Sequence, residues 1–167
     1  MAIRTFAVAS FTTEAVADAT NMTDSKHMNV KGGSSTQKIR IKEVMASGLE
    51  ASTSSPQKLL LARDSTVGAS LTALTTGESD AADDPATAAL AAPTLTFTAS
   101  TTKCQREKTY LAQMGFNALG GIVRLRFALG EEPQILGNTA SNGEVSLSGF
   151  TGTTAGLIGA HIKFETL

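Results

Sequence analysis

The chain has 167 residues and a net charge of −1, which is long enough for one domain with its own core. That charge balance argues against nucleic acid or an anionic membrane as the main partner, because both attract proteins with a clustered basic face. Only 17% of the residues are charged and Trp is absent, a composition typical both of proteins packed into larger assemblies and of loop-rich β proteins.

The first part of the chain is predicted to contain short strands joined by polar segments. Strand patterns occupy residues 3–8 and 27–30, and residues 10–24 between them favour an arm or loop over a helix. We therefore expect residues 1–35 to form an N-terminal arm or short strands that can reach a neighbouring subunit. The start of the chain lacks the long apolar stretch of a secretory signal, so we also expect use without export.

The next predicted strand, at residues 37–44, is clearer. Ile39 and Ile41, followed by Glu43, alternate with a stripe of three cations, Lys38, Arg40 and Lys42. This period-two pattern indicates a strand with one apolar and one basic face. An apolar run of strand length follows at residues 58–63, and we expect the two strands to form an antiparallel pair with a long loop between them.

Residues 66–92 are small and polar, which predicts a surface insertion within a β domain that spans residues 36–167. Asp84 and Pro85 form a helix-start pattern, since an acidic residue caps free amides and proline suits the first helical position. Pro93 then stops the segment, so the predicted helix has only about two turns.

The second half of the chain repeats the strand pattern. Predicted strands lie at residues 94–98, 109–116, 122–129, 144–148 and 158–167. In the strand at residues 122–129, Val123 and Leu125 oppose Arg124 and Arg126. Eight or nine short strands separated by turn residues, without βαβ alternation, predict an all-β fold. We expect an antiparallel, jelly-roll-like β-sandwich of about eight strands with a short helical insertion.

Two pairs of adjacent carboxylates are candidate sites. Asp83 and Asp84 suit a hard cation, but no Asp-rich ligand loop surrounds them, and helix capping is the favoured explanation. Glu131 and Glu132 could act as paired carboxylates across a cleft, yet a solvated turn between strands requires less assumption. Neither pair predicts catalysis.

The histidines and the cysteine are expected to have no role in catalysis or metal binding. His27 and His161 lack further ligands at metal-binding spacing, so surface histidines are the better interpretation. Cys104 is the only cysteine, which excludes an internal disulfide and favours an inert thiol. We therefore expect no enzyme activity, no catalytic or metal residue and no cofactor.

The basic strand faces are the most informative candidates. One comprises Lys38, Arg40 and Lys42, and the other comprises Arg124 and Arg126. Solvated outer faces that discourage edge aggregation are the favoured interpretation. The functional alternative is a docking surface for an acidic neighbour, with strong salt dependence. Nucleic-acid binding is the least favoured role for these faces, because no aromatic side chains alternate with their charges.

Three segments carry a family resemblance: residues 116–124 (FNALGGIVR), 143–148 (GEVSLS) and 161–165 (HIKFE). With the Thr/Ala/Gly-rich composition, they resemble the head decoration (cement) proteins of tailed bacteriophages. The resemblance implies a β-sandwich virion protein, often a trimer, that is made in the host cytoplasm and reinforces the shell by binding the major capsid protein. It implies no membrane and no direct nucleic-acid partner.

The alternative function is a lectin-like or receptor-binding β-sandwich module of a phage tail or surface fibre. Sugar rings favour exposed aromatic side chains, however, and Tyr110 is the only tyrosine in a chain without Trp. The sequence therefore favours capsid decoration.

Overall fold

The computed structural model describes residues 4–9, 26–31, 36–50, 57–64, 72–73, 77–78, 97–100, 106–136, 144–150 and 157–167. These segments contain strands and turns but no helix. The strands are β1 (Arg4–Ala9), β2 (Lys26–Lys31), β3 (Lys38–Gly48), β4 (Gln57–Asp64), β5 (Thr72–Ala73), β6 (Gly77–Glu78), β7 (Phe97–Ser100), β8 (Arg106–Phe116), β9 (Ile122–Arg126), β10 (Gln134–Leu136), β11 (Glu144–Phe150) and β12 (Ile158–Thr166). The predicted all-β class is confirmed for this part of the chain.

The strands form two six-stranded sheets, and every pairing is antiparallel. Sheet A has the order β10-β3-β12-β1-β6, with β9 also paired to β3. Sheet B has the order β5-β7-β2-β11-β4-β8. The first and last strands are therefore neighbours, and most strands pair with partners that are distant in sequence.

The apolar sides of the strands meet in one core cluster that draws on both sheets. From sheet A, Phe6 of β1 stacks on Phe164 of β12, with ring centroids 5.5 Å apart. From sheet B, Met28 of β2 and Leu147 of β11 are fully buried. Burial of such side chains contributes about 1.5–3 kcal/mol each, which makes this cluster the main source of stability.

A β-bulge in β3 changes which residues of that strand face the core. Ile41 lies opposite Phe164, but Glu43 lies opposite Lys163, so Lys42 is an extra residue on β3. The core-facing series therefore passes from Ile41 to Val44. The expectation that Glu43 continues the apolar face is wrong, because the bulge moves it to the outer face.

The sequence located most strands but mispaired two of them. Residues 37–44 and 58–63 were expected to pair with each other, yet β3 belongs to sheet A and β4 to sheet B. The short strands β5, β6 and β10 were not predicted, and the structure describes twelve strands rather than about eight. The predicted helix near Asp84 lies outside the described residues.

The first strands of the chain contribute directly to the two sheets. Six residues of β1 pair with β12, and β2 pairs with both β7 and β11. Phe6, Val8 and Val30 are buried. Residues 4–9 and 26–31 are thus parts of the β structure, within the segment that the sequence assigned to an arm or short strands.

Candidate functional site

The five predicted docking residues lie on neighbouring strands of one sheet. Lys38, Arg40 and Lys42 belong to β3, and Arg124 and Arg126 belong to β9, which pairs with β3 between Glu43 and Ser47. Their side chains alternate with core residues, so they occupy the outer face of sheet A. Two stripes that are separated by about eighty positions in the sequence thus form a single surface.

Glu43 joins the two arginines of β9. The Arg124 guanidinium donates a hydrogen bond of 2.8 Å to Oε2 of Glu43, and Nε of Arg126 lies 3.2 Å from the same oxygen. The Glu43 side chain is only 10% exposed, against 53% for Arg124. The hydrogen bond from Arg124 lowers the pKa of the Glu43 carboxyl and raises that of the guanidinium. We call these three residues the arginine cluster.

Lys42 has a different partner. Its ammonium donates a 2.7 Å hydrogen bond to Oε1 of Glu132, whose side chain is 1% exposed. The backbone N–H of Gly130 donates to the other oxygen, also at 2.7 Å. The hydrogen bond from Lys42, supported by backbone N–H groups, lowers the pKa of Glu132 to about 2, and the pKa of Lys42 is raised. We call Lys42, Gly130 and Glu132 the lysine clamp.

The lysine clamp corrects the prediction for the two glutamates of this loop. Glu131 is exposed, as expected of a solvated turn, but Glu132 is buried and doubly hydrogen-bonded. A carboxylate is stable there only because its charge is paired and its oxygens are satisfied. The solvated-turn prediction is therefore wrong for Glu132.

The clamp holds a loop that interrupts the edge of sheet A. β9 and β10 both pair with β3, and residues 127–133 between them leave the sheet. Phe127 N–H donates to the Lys42 carbonyl at 3.1 Å, and Ile41 N–H donates to the Pro133 carbonyl at 2.9 Å. These bonds fix both ends of the loop beside the β3 bulge. Leu129, between them, is 86% exposed.

A shallow depression of about 330 Å³ lies on this outer face. Its charged lining includes Lys42, Glu43, Arg124, Arg126, Lys163 and Glu165. Cations outnumber carboxylates there by four to two. In the part of the chain that the structure describes, His161, also in the lining, has a buried Nδ1 without a hydrogen-bond partner.

Exposed aliphatic side chains flank the cations. Ile122 at the start of β9 is 73% exposed, and Leu136 in β10 is 53% exposed. With Leu129 they place three large apolar groups along the same edge as the exposed arginines. Arginine is enriched at protein–protein interfaces, whereas single exposed leucines on a surface have no such meaning.

The other predicted candidates do not assemble into a chemical site. His161 is in β12 of sheet A and His27 is in β2 of sheet B. Among the described segments, no group of three or more His, Cys, Asp or Glu residues is arranged to hold a metal ion. Those same segments contain no helix suited to crossing a membrane. Asp83, Asp84 and Cys104 lie outside the described residues.

The sequence missed the acidic members of this surface. Glu43 and Glu132 each neutralise cations that the sequence assigned to a uniformly basic stripe, and Glu165 lies 3.6 Å from Lys42. The alternation of the last strand does predict that Glu165 lies on the face opposite Phe164, together with His161 and Lys163, but it does not predict the ion pair with Lys42. No signal pointed to Glu132, because its partner is ninety residues away.

Comparison with known proteins adds no family assignment, since no protein-family model matches the chain and no curated protein is significantly similar to it.

Proposed function

We propose that the chain is a virion structural protein that decorates and stabilises a phage capsid by binding the major capsid protein lattice. The observation that carries this proposal is the outer surface of sheet A, where Arg124 and Arg126 are exposed on β9 after Ile122. Leu129 and Leu136 are exposed further along the same edge. A surface that combines guanidinium groups with aliphatic side chains suits attachment to another protein. The resemblance of the sequence to head decoration proteins supports the same function.

We also infer that the two sheets pack face to face as a jelly roll. Strand order supports this arrangement: β1-β12-β3-β9 are successive neighbours in sheet A, and β2-β11-β4-β8 are successive neighbours in sheet B. Early and late strands therefore alternate within each sheet, as in a double Greek key. The shared apolar cluster is further support. Such a fold presents broad outer faces to a partner.

The proposed mechanism is mass action. A protein that binds only the assembled shell stabilises that shell by the free energy of its own binding. If several copies of the chain act together, as in the trimer that the resemblance implies, weak contacts reinforce one another through effective concentration. Arginine-dependent contacts of this kind weaken as salt is raised.

The proposal is tested by co-sedimentation of the purified protein with undecorated capsids at two salt concentrations. We expect saturable binding that weakens from 50 mM to 500 mM salt, over which the Debye length shortens about threefold, and about tenfold weaker binding for Arg126→Glu. Lys31→Glu in β2, a half-exposed lysine of sheet B, is the charge-reversal control. Binding to a glycan array without binding to capsids would replace this function with the receptor-binding alternative.

An arm at the start of the chain requires a different variant from simple truncation. Removal of residues 1–24 deletes β1, whose Phe6 and Val8 are buried in the core. Replacement of residues 10–24 alone by a Gly/Ser linker of equal length keeps both β1 and β2. If those residues contribute to attachment, this variant retains its thermal midpoint and loses capsid occupancy.

A further inference from the structure

The outer edge of β9 carries backbone groups that no strand in the described segments uses. Two hydrogen bonds to β3 set the phase of the ladder: Phe127 N–H to the Lys42 carbonyl and Gly48 N–H to the Gly121 carbonyl. In an antiparallel pair, alternate residues face the partner strand. With the observed register, residues 121, 123, 125 and 127 face β3. Ile122, Arg124 and Arg126 therefore direct their N–H and C=O groups away from it.

The same three residues also expose their side chains. Ile122 is 73% exposed, and the side chains of Arg124 and Arg126 are 53% and 72% exposed. Alternate residues of a strand lie about 6.6–7 Å apart. The edge thus repeats one pattern three times: an outward backbone donor and acceptor, with an accessible side chain above them.

We propose that the β9 edge binds an extended acidic segment of the partner protein, which adds to sheet A as an antiparallel strand. The segment carries Asp or Glu at two alternate positions opposite Arg124 and Arg126, and an aliphatic residue beside Ile122. This inference rests on the proposed function, because the segment belongs to the protein that the outer face of sheet A attaches to.

Charge complementarity identifies the segment as acidic. Oε2 of Glu43 lies 2.8 Å from a terminal nitrogen of Arg124 and 3.2 Å from Nε of Arg126, on the outer face. A guanidinium has five N–H donors, so each arginine retains donors for a second carboxylate. Two alternate carboxylates on an added strand match the spacing of the two arginines, since strands have the same repeat. Main-chain pairing supplies affinity, and the alternate side chains supply specificity.

The probe is a blocked seven-residue peptide with glutamate at positions three and five and valine between and beside them. We expect NMR-detected amide exchange at Ile122, Arg124 and Arg126 to slow at least about tenfold when the peptide binds. The amides of Val123, Leu125 and Phe127, already paired with β3, should be unaffected. A peptide with glutamine in place of glutamate is the matched control and should bind about tenfold more weakly.

Arg126→Gln is the matched protein variant, because Arg126 is mostly exposed and Arg124 continues to neutralise Glu43. It should raise the Kd for the glutamate peptide about tenfold without changing the Kd for the glutamine peptide. Equal binding of both peptides to the wild type, or binding without protection of the three outward amides, overturns the proposal. Self-association of the wild type that Arg126→Gln abolishes also overturns it, since the occupant is then a second copy.

The peptide and capsid experiments separate this inference from the proposed function. Capsid binding without peptide binding would exclude strand addition at the β9 edge but would still support capsid decoration. Peptide binding with the expected exchange pattern, but without capsid binding, leaves the edge site standing and removes the capsid as its partner.

Discussion

The lysine clamp and the arginine cluster are both anchored on β3 of sheet A, by the consecutive residues Lys42 and Glu43, and each pairs a glutamate with a cation for a different purpose. In the clamp, Glu132 is 1% exposed and Lys42 is 26% exposed, so the pair is largely enclosed by the protein. In the arginine cluster, Glu43 is 10% exposed but Arg126 is 72% exposed. The carboxylate is sheltered in both, yet only the second displays its cation. The comparison teaches that a basic stripe in a sequence can divide into a structural half and a half available for binding.

The bulge at Lys42 is the physical origin of the difference. An extra residue in β3 puts Lys42 and Glu43 on the outer face in succession, each reaching a different partner. Lys42 reaches the loop of residues 127–133, and Glu43 reaches β9. Bulges redirect side chains in this way at the cost of one unpaired ladder position.

The largest expected effect comes from breaking the clamp. Glu132→Gln removes the charge that Lys42 pairs with, in a place where the side chain is buried. We expect the thermal midpoint to fall by about 5 °C, because the charge-assisted hydrogen bond is lost and Lys42 keeps only the longer 3.6 Å ion pair with Glu165. Glu131→Gln is the control: its side chain is exposed, and the midpoint should change by less than about 1 °C. Equal shifts in a thermal melt would contradict the clamp.

The next effect is a dependence on pH. The pKa of Glu132 is lowered from 4.5 to about 2, so the stability it contributes is fully present above pH 4.5 and is lost as pH falls toward 2. The difference in the free energy of unfolding between the wild type and Glu132→Gln should therefore shrink as the pH falls from 4.5 toward 2. Glu43, whose pKa is also lowered, acts in the same direction in both proteins. Urea unfolding of both proteins at a series of pH values measures this difference in stability. A difference that grows on acidification would contradict the stabilising pair of Lys42 and Glu132.

The third effect is smaller and tests the backbone of the same loop. Gly130 has a φ of +92°, which is strained for residues with a Cβ, and its N–H donates to Glu132. Gly130→Ala should lower the free energy of unfolding by about 1 kcal/mol. Ala128→Gly at the exposed start of the turn is a control for local chain entropy. A Gly130→Ala variant as stable as the wild type would show that the clamp tolerates a rearranged loop.

The sequence predicted the strands well because alternation is a local signal. Ile39 and Ile41, or Ile162 and Phe164, identify a buried face without any knowledge of neighbours. Pairing was harder: β3 and β4 are consecutive but lie in different sheets, and nothing local distinguishes a hairpin from a strand that crosses to the other sheet. Pairing is decided by the whole core, which draws on both ends of the chain.

The cations of the candidate site were predicted because alternation is a local signal, but their carboxylate partners were not. All five cations were identified, since they alternate with apolar residues along their strands and therefore lie on an outer face. Their division was not, because it depends on contacts with Glu132 and on a one-residue bulge at Lys42. The bulge shifts the apolar series of β3, which resumes at Val44 after Ile41 and two charged residues. That shift alone does not identify the partners of Lys42 and Glu43.

The smallest expected effect on stability completes the comparison. Arg126→Gln removes a side chain that is 72% exposed while the 2.8 Å bond from Arg124 to Glu43 remains. We expect the free energy of unfolding to change by less than about 0.5 kcal/mol, since exposed ion pairs are screened and cost side-chain entropy. Urea titration of both proteins measures it. A loss comparable to that of Glu132→Gln would mean that Arg126 is structural. Its exposure would then no longer distinguish the arginine cluster from the clamp, and the case for a displayed docking edge would fail with it.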